Sequence, residues 1–212
     1  MTAPAVSTSP VAAMETYLIS TALVALAEMG ERTQLLAVML ATRYRKPGPI
    51  LIGILFATLA NHALAALAGF YLASVLKAAW FRYAVAASFI AMALWALVPD
   101  KADEDGRPAR ARWGVFLTTL VSFFLVEIGD KTQVATVALA ARYHTVLAVT
   151  AGTTTGMMIA NVPAVFLGHA VTRVLRINVL RIAAAALYLV LGLLGLATTA
   201  GWAPAWLSPV SG

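Results

Sequence analysis

The chain has no cysteine and few charged residues, and both shortages narrow what it can be. The absence of cysteine from its 212 residues excludes a disulfide framework and a thiolate metal site. Charged residues make up 11% of the chain and hydrophobic residues 61%, whereas soluble domains are about a quarter charged. The composition therefore predicts an integral membrane protein, in which any metal must be held by oxygen or imidazole ligands.

The apolar runs are long, unbroken and rich in alanine and leucine, which favours helices over the ~10-residue alternating strands of a barrel. Six segments approach or exceed the ~20 residues that a helix needs to cross a bilayer. They are residues 17–41, 49–75, 78–98, 113–141, 145–171 and 179–200. We predict an all-α membrane protein with these six spans, a disordered tail at 1–16, a linker at 99–112 and a C-terminal tail at 201–212.

The basic residues are distributed unevenly over the predicted loops. Ten of them lie in the loops after the first, third and fifth spans, and three lie on the opposite side. Because cytoplasmic loops carry an excess of lysine and arginine, we predict that both termini are outside and that the 99–112 loop is cytoplasmic. This topology accounts for the net charge of +6, so the charge indicates a lipid bilayer as partner rather than nucleic acid.

Two charged segments within apolar stretches are copies of one motif. Residues 28–35 are E-M-G-E-R-T-Q-L, and residues 127–134 are E-I-G-D-K-T-Q-V. An offset of 99 residues superposes them, and the match continues to Arg82 on Arg181. We therefore predict two three-helix repeats, 17–98 and 113–200. With an odd number of spans in each, the second repeat must enter the membrane inverted, as in many secondary transporters.

Each motif places two acids and one base near the bilayer centre, where an ionised side chain costs at least ~2.5–3.5 kcal/mol. The set comprises Glu28, Glu31, Arg32, Glu127, Asp130 and Lys131. One interpretation is a structural staple, in which each base pairs with the glutamate four residues earlier on its own helix. Four acids and two bases would still leave two negative charges unbalanced. The motifs are therefore predicted to bind something positive.

The surplus of negative charge matches a divalent cation. Carboxylates and the amide oxygens of Gln34 and Gln133 form an all-oxygen shell, which suits Mg²⁺, Ca²⁺ or Mn²⁺. Without the cation the same acids favour protonation, because like charges repel in a low dielectric. A site that holds either protons or a divalent ion is the minimum that a cation/proton exchanger needs.

The remaining motif residues have expected structural roles. Gly30 and Gly129 remove bulk between the acids, so that backbones can approach closely or the helix can unwind locally. On an ideal continuous helix the motif acids share one face, whereas Thr33 and Thr132 point elsewhere. We expect these two threonines to bond back to the preceding turn.

Three further polar residues lie mid-span, namely Asn61, His62 and Asn161. Asn161 superposes on His62 at the 99-residue offset. Buried residues of these types commonly form interhelical hydrogen bonds. A place along an ion pathway is the alternative interpretation for all three.

The doubled motif, with a glutamate, a glycine, an acid, a base and a threonine in fixed order, resembles that of the Gdt-type cation/proton exchangers, which include the transmembrane-protein-165 relatives. The resemblance extends over about residues 17–200. It implies exchange of Mn²⁺ and/or Ca²⁺ for H⁺, with no prosthetic group and no enzymatic activity. It also implies that the motif acids form the cation sites. These are Glu28, Glu31, Glu127 and Asp130.

The resemblance further implies a bacterial inner membrane as location and export of Mn²⁺ as the direction of transport. The first motif departs from the family pattern, because Glu31 stands where the pattern has aspartate. We expect this extra methylene to affect ion selectivity. Two alternatives remain, a passive divalent-cation channel and an intramembrane lipid-diphosphate phosphatase. The phosphatase would need a Ser/His/Arg set beside the acids, and neither motif has one.

Overall fold

The computed structural model describes residues 9–76, 78–98, 114–168 and 177–202, and this part of the chain is all-helical, as predicted. The helices are α1 (Pro10–Glu28), α2 (Arg32–Tyr44), α3 (Pro47–Val75), α4 (Ala79–Ala96), α5 (Gly114–Glu127), α6 (Lys131–Tyr143), α7 (Val146–Leu167) and α8 (Ile177–Thr199). The predicted 99–112 linker and most of the predicted C-terminal tail lie outside the described residues.

Four of these helices are long and apolar enough to cross a membrane: Pro10–Glu28, Pro47–Val75, Ala79–Ala96 and Ile177–Thr199. α5 is apolar but has only 14 residues. The predicted first and fourth spans are each interrupted, because a helix ends and another begins inside both. The four long apolar helices support a membrane-embedded helical protein.

The first helix begins earlier than predicted. The Ser9 side chain accepts a hydrogen bond from the Ala12 N–H at 3.2 Å, and Pro10 occupies the first turn. Serine as N-cap followed by proline is a strong start signal that hydropathy alone does not register. Residues 10–16, predicted to belong to a disordered tail, are consequently helical.

The helix boundaries repeat at the offset found in the sequence. α1 and α5 end at Glu28 and Glu127, which are 99 residues apart. α2 and α6 both end at a residue in the left-handed conformation, Arg45 at φ 52° and His144 at φ 51°. The two halves of the chain thus share local structure as well as sequence.

Small residues bring the helices close together. α1 packs along α7, α3 along α5, α6 and α7, and α4 along α8. A Cβ atom on Gly152 would lie 2.6 Å from the Tyr17 carbonyl oxygen, and one on Gly156 would lie 2.6 Å from that of Thr21. The contact moves along both helices in the same direction, so α1 and α7 run parallel. Glycine is what permits so close an approach of two backbones.

Candidate cation site

The first charged motif lies where one helix stops and another begins. α1 ends at Glu28 and α2 starts at Arg32, and Gly30 between them has φ +88°. Glycine adopts this left-handed conformation freely, whereas a side chain would strain it. The placement of the motif on one continuous helix was wrong. The local unwinding that the glycine was expected to permit is confirmed.

The second motif has the same break. α5 ends at Glu127, α6 starts at Lys131, and Gly129 has φ +77°. In this turn the Asp130 N–H donates to the Glu127 carbonyl at 3.1 Å. The corresponding bond in the first motif also measures 3.1 Å. The second acid of each motif, Glu31 or Asp130, therefore lies in the turn between two helices.

The side chains of Gln34 and Gln133 form hydrogen bonds across the two helix breaks. The Gln34 side-chain oxygen accepts from the Gly30 N–H at 3.0 Å, and that of Gln133 accepts from the Gly129 N–H at 2.7 Å. Gln34 also donates through Nε2 to the carbonyl of Ala160 on α7, at 2.9 Å. These amide oxygens satisfy backbone donors that the broken helix leaves open. Their predicted role as cation ligands stays a prediction.

Each motif base pairs with an acid of the opposite motif. Arg32 Nη2 lies 3.5 Å from Asp130 Oδ1, and Lys131 Nζ lies 3.4 Å from Glu31 Oε1. Lys131 Nζ also donates to the Val98 carbonyl at 3.1 Å. The described ion pairs thus connect the repeats, whereas the staple interpretation paired each base within its own helix. The helix breaks explain the difference, because they redirect the acids that follow the glycines.

Glu127 is held by two donors on α3. Its side chain is 1% exposed, Thr58 Oγ1 donates to Oε1 at 2.8 Å, and Asn61 Nδ2 donates to Oε2 at 3.0 Å. Asn61 Nδ2 additionally lies 2.9 Å from the carbonyl oxygen of Phe124. Asn61, predicted as an interhelical hydrogen bond or a pathway residue, therefore forms the interhelical bond. It reaches a motif acid directly.

Glu28 has fewer hydrogen-bond donors around it than Glu127. It is 0% exposed and accepts a hydrogen bond from Thr33, while its Oε1 has no hydrogen-bond partner within the described residues. The α7 positions that correspond to Thr58 and Asn61 are Met157 and Ala160, whose side chains carry no donor. The two buried glutamates are consequently not equivalent.

The motif threonines contact the acids, which the sequence interpretation missed. Thr33 donates to Glu28, and Thr132 Oγ1 lies 3.4 Å from Asp130 Oδ2. The expectation that they point away assumed an unbroken helix. The sequence offered one signal of a role at the site, because both motifs have a threonine at the same position.

His62 and Asn161 are fully buried, and both contain polar atoms that are unpaired within the described residues. These atoms are both ring nitrogens of His62 and Oδ1 of Asn161. Asn161 Nδ2 donates to the carbonyl of Met157 at 3.0 Å, one turn earlier on α7. Buried atoms of this kind are commonly satisfied by water. A place along the ion pathway stays a prediction for both residues.

The four motif acids do not form a single cluster in this arrangement. Across the described ranges, no group of three or more His, Cys, Asp or Glu side chains is placed to hold a metal ion. Glu31 and Asp130 are engaged with the bases of the opposite motif, and Glu127 is engaged with α3. A cation bound by all four acids would require the ion pairs to open.

Comparison with known proteins agrees with this chemistry. The family described as "Divalent cation/proton antiporter GDT1" matches residues 16–104 and 115–202, one match for each half of the chain. A Vibrio cholerae protein named "Putative manganese exporter" is 45% identical over 181 residues, which are 85% of this chain and 90% of that protein.

A second relative is more distant. A GDT1-like protein of Synechocystis sp. is 31% identical over 166 residues, which are 69% of this chain and 79% of that protein. No solved structure matches the chain significantly. The family match covers nearly the whole chain, and the resemblance inferred from the doubled motif is confirmed. The chain belongs to the GDT1 family of divalent cation/proton antiporters.

Proposed function

We propose that this protein exchanges Mn²⁺ and/or Ca²⁺ for protons by alternating access, and that it exports Mn²⁺ from the cytoplasm of a bacterial cell. The observation that carries the proposal is the cross-pairing of the motifs, in which Arg32 meets Asp130 and Lys131 meets Glu31. Buried acids that are held by bases in this way can exchange the bases for a cation or for protons. The name of the Vibrio cholerae relative supports manganese as the ion and export as the direction.

The proposed architecture is two inverted repeats with six spans, in which α1 with α2 and α5 with α6 each form one broken span. Broken helices at a midplane site are typical of transporters built from inverted repeats. The parallel packing of α1 and α7 supports this topology, because the first and fifth spans of such a chain run in the same direction. The uneven loop charges support termini outside and a cytoplasmic 99–112 loop.

The proposed exchange step is a competition for the motif carboxylates. A divalent cation that enters the site takes Glu31 and Asp130 from their basic partners and recruits the buried Glu28 and Glu127 to its oxygen shell. Protons arriving from the opposite side neutralise the acids and release the cation. Once the protons on Glu31 and Asp130 leave toward the cytoplasm, these carboxylates pair again with Lys131 and Arg32, which compensates their charge until the next cation binds.

Transport in proteoliposomes tests the proposal. Mn²⁺ and Ca²⁺ flux should follow an imposed pH gradient, and proton movement should accompany it in the opposite direction. Glu127→Gln and Asp130→Asn should each reduce flux at least about tenfold, since each removes a charge that the cation needs. Glu15→Gln, which changes an exposed acid of α1 outside the motifs, is the matched control.

Two results would change the conclusion. Intact flux in both motif variants would overturn the assignment of the site. Cation flux without proton counter-movement would favour the second candidate, a passive divalent-cation channel, since the same acids can line a pore. Membership in an antiporter family argues against the lipid-diphosphate phosphatase.

A further inference from the structure

Tyr188 is a buried tyrosine on α8 whose hydroxyl makes no hydrogen bond within the part of the chain that the structure describes. The residue is 1% exposed, and its hydroxyl oxygen makes no hydrogen bond to the described residues. Some other buried hydroxyls are satisfied locally; that of Thr136, for example, donates to a carbonyl of the preceding turn at 2.7 Å. Those of Ser20, Thr150 and Thr154 also lack a partner among the described residues, but none of these three lines the cavity that holds Tyr188. Tyrosine hydroxyls usually find a partner when they are buried. The unpaired hydroxyl therefore needs an explanation.

The tyrosine lies beside the candidate cation site. It lines a cavity together with Glu31, Lys131 and Arg181, and apolar residues of α1, α4 and α8 complete the walls. The carboxylates of Glu28, Asp130 and Glu31 lie near enough to act electrostatically on the hydroxyl. Tyr188 thus shares a cavity with one of the cross-repeat ion pairs.

The repeat shows that packing alone does not need this hydroxyl. At the 99-residue offset Tyr188 corresponds to Phe89 on α4, which is 0% exposed. α4 and α8 pack against each other, and each contributes one six-membered ring to the buried core. A phenyl ring therefore fills this position in the first half. The second half adds only an oxygen atom, on the side of the motif acids.

We propose that Tyr188 is a positioning residue for the transported cation, whose hydroxyl donates a hydrogen bond to the Glu31 carboxylate when the cation has displaced Lys131. This inference rests on the proposed exchange. When Lys131 leaves, the hydroxyl in the same cavity supplies a replacement donor and directs the second carboxylate oxygen toward the ion. Glu31 is one methylene longer than Asp130, its counterpart in the second motif, so a second point of attachment restricts a more flexible side chain.

The test is Tyr188→Phe in proteoliposomes, with Tyr17→Phe as matched control. Tyr17→Phe also removes a hydroxyl, but that hydroxyl donates a hydrogen bond to Thr155 at 3.2 Å, away from the motifs. We expect Tyr188→Phe to raise the KM for Mn²⁺ about tenfold, the effect of one hydrogen bond to a charged group, with the maximal rate within about twofold of wild type. Tyr17→Phe should leave the KM unchanged.

Melting in detergent separates positioning from a structural role. Because the hydroxyl is unpaired, Tyr188→Phe without Mn²⁺ should melt at or above the wild-type temperature, and its stabilisation by added Mn²⁺ should be smaller. An unchanged KM and unchanged Mn²⁺ stabilisation would overturn the inference, as would a lower melting temperature with unchanged KM. If wild-type protein shows no proton-driven flux, the proposed function itself fails and this inference falls with it.

Discussion

Replacing Lys131 with methionine removes its ammonium group and keeps most of the side-chain length, so it tests the cross-repeat pairing directly. The Lys131 and Glu31 side chains are each 5% exposed, and their charged atoms lie 3.4 Å apart. Removing one partner of a buried ion pair costs about 3–5 kcal/mol, because the other charge is left buried and uncompensated. In Lys131→Met the group that loses its partner at 3.4 Å is the Glu31 carboxylate.

The double variant should reverse at least about half of that loss. Lys131→Met with Glu31→Gln leaves neither charge, and neutral replacements of buried pairs are often close to wild type. We therefore expect Lys131→Met to lose about 3 kcal/mol of unfolding free energy and the double variant to regain at least about half of it. For a chain of this size, 3 kcal/mol corresponds to roughly 6–12 °C in melting temperature.

The assay is thermal unfolding in detergent for wild type, both single variants and the double variant. A second cycle combines Lys131→Met with Glu127→Gln, the acid four residues earlier in the chain. We expect strong coupling in the Glu31 cycle and weaker coupling in the Glu127 cycle, because Glu127 is bonded to Thr58 and Asn61 on α3. Additive losses in the Glu31 cycle, or stronger coupling to Glu127, would refute the cross-repeat pairing.

Two further changes test the surroundings of the motifs. Gly129→Ala should lower the free energy of unfolding by about 1–2 kcal/mol, because φ +77° is strained for alanine. The strain is the only expected cost, since a Cβ atom at this position would meet no atom within 4 Å. Gly48→Ala is the control, because its Cβ would also meet no atom within 4 Å and its φ is not positive, and it should change the melting temperature little. Thr58→Val should cost about 1–3 kcal/mol and reduce Mn²⁺ flux, since Glu127 loses a donor at 2.8 Å, and Thr58→Ser should restore both melting temperature and flux.

The positions of the motif acids were predictable from the sequence, because uncompensated charge in an apolar stretch and its recurrence 99 residues later are both visible there. The helix boundaries were less predictable. The apolar runs continue on both sides of Gly30 and Gly129, so hydropathy gives long spans and does not register that the backbone turns at these glycines. A glycine within an apolar helix is compatible with close packing as well as with a break.

The partners of Arg32 and Lys131 were not predictable from spacing. A base four residues after an acid indicates a pair on one helix, and only the break places each base beside the opposite motif. The same applies to Thr33, which contacts Glu28 once the turn between them is no longer helical. Tyr188 carries no local signal at all, because nothing near it in the sequence is charged except Arg181.

The repeated sequence does not make two identical half-sites, and this affects how a cation can bind. Both oxygens of Glu127 are occupied by donors on α3, whereas Glu28 has Thr33 on one oxygen and, within the described residues, nothing on the other. A carboxylate with two neutral donors is held in place, while one with an open lone pair can turn toward an arriving ion. Under the proposed exchange, Glu28 is therefore the buried acid expected to reach the cation with the smallest rearrangement, whereas Glu127 would first give up a bond to Thr58 or Asn61.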